Sequence, residues 1–295
     1  DASGKASGMV TNGASFRAHP EFARTAADFF PEFDGTGSFA FTERESVGLV
    51  PDGGDWAREE AARMRASGFD VEFVAFPTLE DRYPGVFGID DYDGALVYHD
   101  TGWLDPYTYT TTLADAATDR GAEVRTGVRV TDHLPSVDWI RQCVTDLLVD
   151  DGTLVRVESS EGTVRADTVI VAAGWRSREL CLPHLELPIR PFRWQAATLD
   201  PERELPEWYP MGWDPAVDRY WRPEHNGTMH VGGGEVAVTD PGSRRSKVPS
   251  EFKLQLATEM PERLTHLGGA TFVRGDTCPT GDATTPDTYP IIDTP

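Results

Sequence analysis

Two stretches of the chain match the glycine pattern G-x-G-x-x-A, which lets a backbone turn cradle a dinucleotide pyrophosphate. They are Gly35-Thr36-Gly37-Ser38-Phe39-Ala40 and Gly232-Gly233-Gly234-Glu235-Val236-Ala237. Phosphate binding by this pattern needs a strand before it and a helix after it, because the helix N-terminus supplies the aligned N–H groups. The first match follows a helical stretch and enters a strand. The second runs into Val238-Thr239-Asp240-Pro241-Gly242, which cannot open a helix. Neither reads as a phosphate loop, and Gly4-Lys5-Ala6-Ser7 lacks the upstream part of a P-loop. A third place suits a flat cofactor. An apolar strand over 168–173 leads into Gly174 and Trp175. In open α/β sheets ligands bind beyond the carboxyl ends of strands. Ala173 and Gly174 remove side chains there, so a ring could lie against backbone; tight packing at a strand end calls for the same residues.

The side chains that do acid–base or metal chemistry are dispersed. Seven histidines are scattered with no metal-ligand spacing, and none is assigned a role. Cys143, Cys181 and Cys278 are odd in number and far apart, so no disulfide framework or metal pair is implied, and a reducing cytoplasm fits. Tryptophans such as Trp103 and Trp221 are more often core than substrate cage, but Trp194 and Tyr220 are candidates for a cage.

The elements that would position these residues are partly legible. A glycine-rich loop occupies 1–17, a helix about 18–30, and a strand pair about 38–50. Asp55 is placed to cap a helix that ends at Gly68, with Trp56, Ala57, Ala61 and Met64 as its face. A strand is expected at 71–76, followed by a loop. Asp105-Pro106 opens a helix that runs to Gly121, and AEVRTGVRV then reads as a strand, as in doubly wound sheets. Two strands joined at Glu161-Gly162 precede the buried strand VIVAAG. Beyond residue 190, alternating strands rich in Trp, Tyr and Arg read as a mainly antiparallel sheet.

Composition narrows the partners. The net charge is −22, with 49 acidic residues against 27 basic ones, and only three lysines, Lys5, Lys247 and Lys253. The acids are spread out rather than gathered in a tail. Such a surface opposes nucleic acid and anionic membranes. It suits a halophilic source, where salt screens the repulsion, or an ordinary acidic cytosolic protein. No apolar run is long enough to span a bilayer.

Four segments, in order, resemble motifs of one family. ASGKASGMV is similar to a small-residue loop ending in Ala-Gly-Met. GWLDPYTYTTTLADAATDRGAEVRTGVRV is similar to a G-x-L-D-P segment that ends on a valine. ADTVIVAAGWRSREL and ATTPDTYPIID resemble the other two. The family is the FAD-dependent D-amino-acid oxidase, sarcosine oxidase and glycine oxidase group. The resemblance spans residues 2–293. It implies an α/β (α+β overall) fold, with a Rossmann-like FAD-binding domain interleaved with a mixed, mainly antiparallel substrate domain. The implied division is 1–34 and 100–185 for FAD, 35–99 and 186–285 for substrate, and a return to the FAD domain over 286–295.

The resemblance also implies site residues. Ser3, Lys5, Ala6, Ser7, Gly8 and Met9 would lie over the flavin. Val130 would meet the adenosine end, and Ala173, Gly174, Trp175 and Asp287 would complete the cofactor site. A cysteine near Cys278 holds flavin covalently in the sarcosine oxidase branch; a buried, unreactive thiol is the alternative. Where several members carry a carboxylate-binding arginine, this chain has Asp282. Arg222 is then the best anchor, since a planar guanidinium suits a carboxylate, although a strand arginine of an acidic protein reads the same way. Met9, Tyr220, Arg222 and Trp194 would meet the substrate.

The implied reaction is oxidation of a C–N bond of an amino acid or amine by hydride transfer, with oxygen or another acceptor taking the electrons. No catalytic acid or base is assigned, because none is obligatory if the amine binds neutral. The alternatives are a flavin dehydrogenase of a hydroxy compound, and a non-catalytic subunit. The family's G-x-G-x-x-G turn would lie before Asp1, and its last glycine-rich turn after Pro295. The sequence therefore reads as a fragment that should bind FAD poorly.

Overall fold

A computed structural model describes residues 3–11, 19–128, 147–150, 153–166, 168–181, 185–238, 247–277, 282–286 and 291–292. Strand β1 (Met9–Val10) precedes helix α1 (Pro20–Phe33), which opens on a proline whose missing N–H would be unpaired in a first turn anyway. The helix runs past its expected end, through Pro31. Strands β2 (Phe41–Glu43) and β3 (Ser46–Val50) follow. They do not pair with each other, contrary to the strand pair that the sequence suggests over 38–50. Arg44-Glu45 between them offers no positive-φ turn residue, so the chain stays extended and passes from one sheet to another.

Helix α2 (Gly54–Ala66) is capped in an unforeseen way. Asp55 makes no cap bond; the Gly54 N–H instead donates to Asp93 Oδ2 at 2.8 Å. Gly68, at φ +88°, ends the helix as expected. Ala57, Ala61 and Met64 are buried, but Trp56 is 51% exposed. Strand β4 (Val71–Ala75) leads into helix α3 (Phe76–Arg82), where the sequence reads a loop; Pro77 in the first turn is the missed signal. Strands β5 (Gly94–Tyr98) and β6 (Gly102–Leu104) come next. Helix α4 (Pro106–Asp119) starts where Asp105-Pro106 predicts, with Asp105 Oδ1 accepting the Tyr107 N–H at 3.0 Å.

The later strands are β7 (Leu147–Asp150), β8 (Thr153–Ser159) and β9 (Gly162–Arg165). After helix α5 (Ser177–Cys181) come β10 (Arg190–Asp200), β11 (Met211–Asp214), β12 (Arg219–Pro223) and β13 (Met229–Ala237). Helix α6 (Ser250–Arg263), β14 (Thr271–Thr277) and β15 (Asp282–Thr284) complete the described chain.

The chain forms two compact units. The first comprises Asp1–Leu113, Trp194–Glu235 and Arg245–Cys278. Its main sheet runs in the order β14-β10-β13-β12-β11-β3-β5-β4. Among the pairings described in this sheet, β11–β3 is parallel and the rest are antiparallel. A smaller sheet has the order β1-β6-β2. Along β5, Ala95 and Val97 face one core while Leu96 and Tyr98 face another, the period of a strand buried on both sides. Helix α2 closes the second core with Ala57, Ala61 and Met64. Helices α6 and α3 close the first, where Phe252, Leu256, Met260 and Leu79 pack on Trp221, Val231 and Leu199.

The second unit comprises Ala114–Arg193, Val236–Arg244 and Pro279–Pro295. It holds the sheet β7-β8-β9, with the expected turn before Gly162 at φ +115°, and the pairing of Arg190–Phe192 with β15. Of the strand expected at 122–130, residues 122–128 carry no regular secondary structure, and 129–130 lie outside the described residues; 168–173 carries none either. Ile170 is 87% exposed. An extended segment becomes a strand only through a ladder, and among the described residues no neighbour pairs with either segment.

Candidate active site

Within the first unit, three neighbouring strands present alternate residues to one side of the main sheet. Trp194, Ala196 and Thr198 of β10 line a cavity of about 370 Å³, as do Tyr220 and Arg222 of β12 and, just beyond its end, Glu224. His230 of β13 lies opposite Arg222 in the ladder, and Arg274 of β14 lies opposite Thr198. The intervening Trp221, Met229, Val231 and Leu199 point into the core. Period-2 alternation thus splits these strands into a packing face and a chemical face. The register shifts between Thr198 and Leu199, a bulge of the kind that re-aims side chains beside sites.

Arg222 is the most constrained of these groups. Its Nη2 donates to Glu224 Oε1 at 2.6 Å, and its guanidinium carbon sits 4.1 Å from the Trp103 ring centroid. The residue is 7% exposed. Its Nε and Nη1 are buried with no hydrogen-bond partner among the described residues. Burial pushes its pKa down, while the charges of Glu224, Tyr220 and Asp105 oppose the shift. Buried unpaired donors of a charged group are costly, and they mark a place where an acceptor belongs.

His230 Nε2 is likewise buried without a partner. Burial, and then the charges of Arg222 and Arg274, push its pKa down to about 4, so the ring is neutral at neutral pH. Burial pushes the Tyr220 phenol up to about 12. The Tyr220 ring lies over the paired Gly232, where an added Cβ would meet the phenol oxygen at 2.2 Å. It also meets Trp194 edge-on, centroids 6.3 Å apart.

The opposite wall comes from the first loop and from the segment after β6. Ser3 and Lys5 belong to a 3₁₀ turn, and Gly4, Lys5 and Ala6 line the cavity together with Trp103, Asp105 and Pro106. Lys5 Nζ pairs with Asp276 Oδ2 at 2.9 Å. Ser7 Oγ accepts the Met9 N–H at 3.4 Å. Met9 pairs with Trp103 through β1–β6, and the Leu104 N–H donates to Gly8 O at 3.0 Å. Gly8 has φ +69°, and a Cβ there would fall 2.0 Å from the Leu104 oxygen. Only glycine permits this loop to pass so close to β6.

The structure therefore gathers Lys5, Ala6, Trp194, Tyr220 and Arg222 around one cavity, with Ser3, Ser7, Gly8 and Met9 in the same loop. Ala173, Gly174 and Trp175 belong to the second unit. There Gly174 opens a 3₁₀ turn, Trp175 is buried, and the Arg176 guanidinium stacks on it at 4.6 Å. Val130, Cys278 and Asp287 lie outside the described residues. Asp282 pairs through β15 with Phe192. Sequence reasoning missed Glu224, His230 and Arg274 as wall residues and read Trp103 as core. The alternation Tyr220-x-Arg222-x-Glu224 was the available signal for one of them.

The cavity is small but within the range of sites for small molecules, about 300–1,000 Å³. Loop backbone faces one side, aromatic rings another, and an unsatisfied guanidinium a third. Such a space fits a flat ring with a small anion beside it. A family profile described as FAD dependent oxidoreductase (DAO) matches residues 1–295, and the chain belongs to that family. Its fold is also that of solved members. Glycine oxidase from Geobacillus kaustophilus superposes with a TM-score of 0.78 at 16% identity, covering 98% of this chain and 74% of that one. L-proline dehydrogenase from P. horikoshii gives 0.79 at 16% identity, covering 96% and 73%. L-α-glycerophosphate oxidase from Mycoplasma pneumoniae, solved with FAD bound, gives 0.70 at 15% identity, covering 97% and 75%. Comparison with curated proteins finds no match. No helix among the described residues is long and apolar enough to cross a membrane.

Proposed function

We propose that this FAD-dependent oxidoreductase oxidises the C–N bond of an amino acid or a secondary amine, and that Arg222 holds the substrate carboxylate. The observation that carries this reading is the buried Arg222 guanidinium, with two nitrogens that have no partner among the described residues, on a wall shared with Tyr220 and Trp194. Bound FAD would supply the acceptor for a hydride from the carbon next to nitrogen, and the imine product would be open to hydrolysis by water. Arg222 fixes the carboxylate, and Trp103 lies against that guanidinium. Tyr220 and Trp194 pack against the substrate's apolar part and exclude water. The neutral His230 ring adds no positive charge beside the amine, which must lose its proton before hydride leaves.

The ring end of the cofactor would meet Lys5, Ala6 and Met9, a loop that Gly8 holds close to β6. Ser3 and Ser7 flank it. Ala173, Gly174, Trp175, Val130 and Asp287 are assigned to the rest of the cofactor by family likeness alone, as is the covalent role of Cys278. The same basis supports the division into a FAD layer, 1–34 and 100–185, and a substrate layer, 35–99 and 186–285, with 286–295 returning to the former.

Turnover of amino acids with detection of ammonia or amine tests the reading. A ketone product without nitrogen release would replace it with oxidation of a hydroxy compound. The cations lining the cavity also suit a phosphate, and one structural neighbour is described as a glycerophosphate oxidase. Absence of any turnover by the flavin-loaded protein would favour a non-catalytic subunit. The acidic, lysine-poor composition supports a halophilic setting, and the absence of a membrane-spanning helix among the described residues is compatible with the cytoplasm.

A further inference from the structure

We propose that the substrate is a dicarboxylate whose amine lies between its two acid groups, with Arg222 taking one carboxylate and Arg274 the other. This rests on the amine-oxidation reading and names the substrate class of that site. Three cationic side chains line the cavity. Lys5 is matched by Asp276 at 2.9 Å, and Arg222 is matched by Glu224 through one nitrogen only. Arg274 has no carboxylate in ion-pair reach among the described residues; its Nε donates to the neutral Thr198 hydroxyl at 3.3 Å. Arg274 is exposed at the edge of the cavity, so its charge is open to a ligand that enters from solvent.

The order of the groups along the sheet gives the class. Arg274, Thr198, His230 and Arg222 stand on four successive strands, β14, β10, β13 and β12. The ladders pair Arg274 with Thr198 and Arg222 with His230, and three strand steps of about 4.8 Å separate β14 from β12. Burial first, and then both charges, lower the basicity of His230, so both arginines lie within electrostatic reach of it. His230 Nε2 is a buried ring nitrogen with no hydrogen-bond partner among the described residues. The row therefore reads cation, neutral ring with an unsatisfied nitrogen, cation. A substrate reading carboxylate, amine, carboxylate is its complement, and two like charges converging on one space are relieved by an anion at each. A substrate with one carboxylate would leave Arg274 unused.

Binding of succinate and butyrate, matched in length but carrying two carboxylates and one, tests this in the FAD-loaded full chain. Tryptophan fluorescence reports on Trp103 and Trp194 without turnover. Succinate should bind at least about tenfold more tightly, as charge-assisted hydrogen bonds to a second carboxylate require. In Arg274→Gln the ratio should fall towards one, and Arg274→Lys should restore most of it. Equal binding of the two acids, an unchanged ratio in Arg274→Gln, or tighter binding of inorganic phosphate than of succinate would each overturn the proposal. Turnover of aspartate and iminodiacetate against alanine and sarcosine is read separately. Amine oxidation without a preference for succinate sinks only the dicarboxylate, whereas succinate selectivity without nitrogen release sinks the amine-oxidation reading.

Discussion

The guanidinium of Arg222 of β12 sits over the indole of Trp103 of β6, 4.1 Å from its centroid, and so joins the main sheet to the small one by a cation–π contact. Such contacts contribute about 0.5–2 kcal/mol, the more so when desolvated as here. The contact also helps to hold the guanidinium where it meets a ligand. Arg222→Gln keeps a polar group but loses the charge. Its KM for an amino acid substrate should rise roughly 30- to 100-fold, with kcat falling less. Arg222→Lys should recover little, because an ammonium neither stacks nor forks. A KM within about twofold of the native value would remove Arg222 from the carboxylate.

Gly8 predicts a sharp contrast with its neighbour Gly4. At φ +69° and with Leu104 O 2.0 Å from any added Cβ, Gly8→Ala must displace the loop. Backbone strain of this kind costs about 1–3 kcal/mol. Thermal melting should fall accordingly, and the purified protein should retain less flavin. Gly4→Ala, whose Cβ would meet nothing within 4 Å, is the control and should melt like the native chain. Equal melting of both variants would mean that the loop does not approach β6 as described.

His230 makes stability depend on pH in a defined window. Its folded pKa of about 4 lies below the ordinary 6.5, so between these values the unfolded chain binds more protons than the folded one. Stability from this group is therefore full above about pH 6.5 and declines as pH falls towards 4, by at most on the order of 3 kcal/mol. Denaturant melts at pH 7 and pH 5 should differ in the native protein and converge in His230→Asn. Glu45 acts in a lower window. Burial alone would raise its pKa, but the Tyr83 hydroxyl and Arg82 outweigh that and hold it below 4.5. Its contribution persists at pH 5 and disappears only in stronger acid.

Salt should stabilise the chain. With a net charge of −22, raising KCl from about 0.1 M to about 1 M shortens the screening length from roughly 10 Å to roughly 3 Å and weakens the repulsion among surface carboxylates. The melting temperature should climb over this range, and sodium chloride should act similarly. A flat or falling melting curve would contradict the halophilic reading.

Legibility in the sequence followed locality. Gly68 and the Asp105-Pro106 start gave their helix ends correctly because a cap is decided within a few residues. The hairpin before Gly162 was legible for the same reason. The cap on α2 was not, since Asp93 reaches it from 39 residues away. The strands expected at 122–130 and 168–173 do not form over 122–128 and 168–173, because an apolar run states a wish for a partner, not its presence. Trp194, Tyr220 and Arg222, named from residue type, line the cavity. His230 and Arg274 were not named, because their meaning comes from the ladder that sets them beside Arg222 and Thr198.

The division of β12 between Trp221 on one side and Tyr220 and Arg222 on the other carries an evolutionary consequence. Selection for a new substrate can rewrite the cavity-facing positions of β10, β12, β13 and β14 one at a time while the inward residues keep the domain folded. A lineage built this way can diversify in diet without reinventing its architecture. Solved structures at 15–16% identity share the fold and differ in the compounds their names describe.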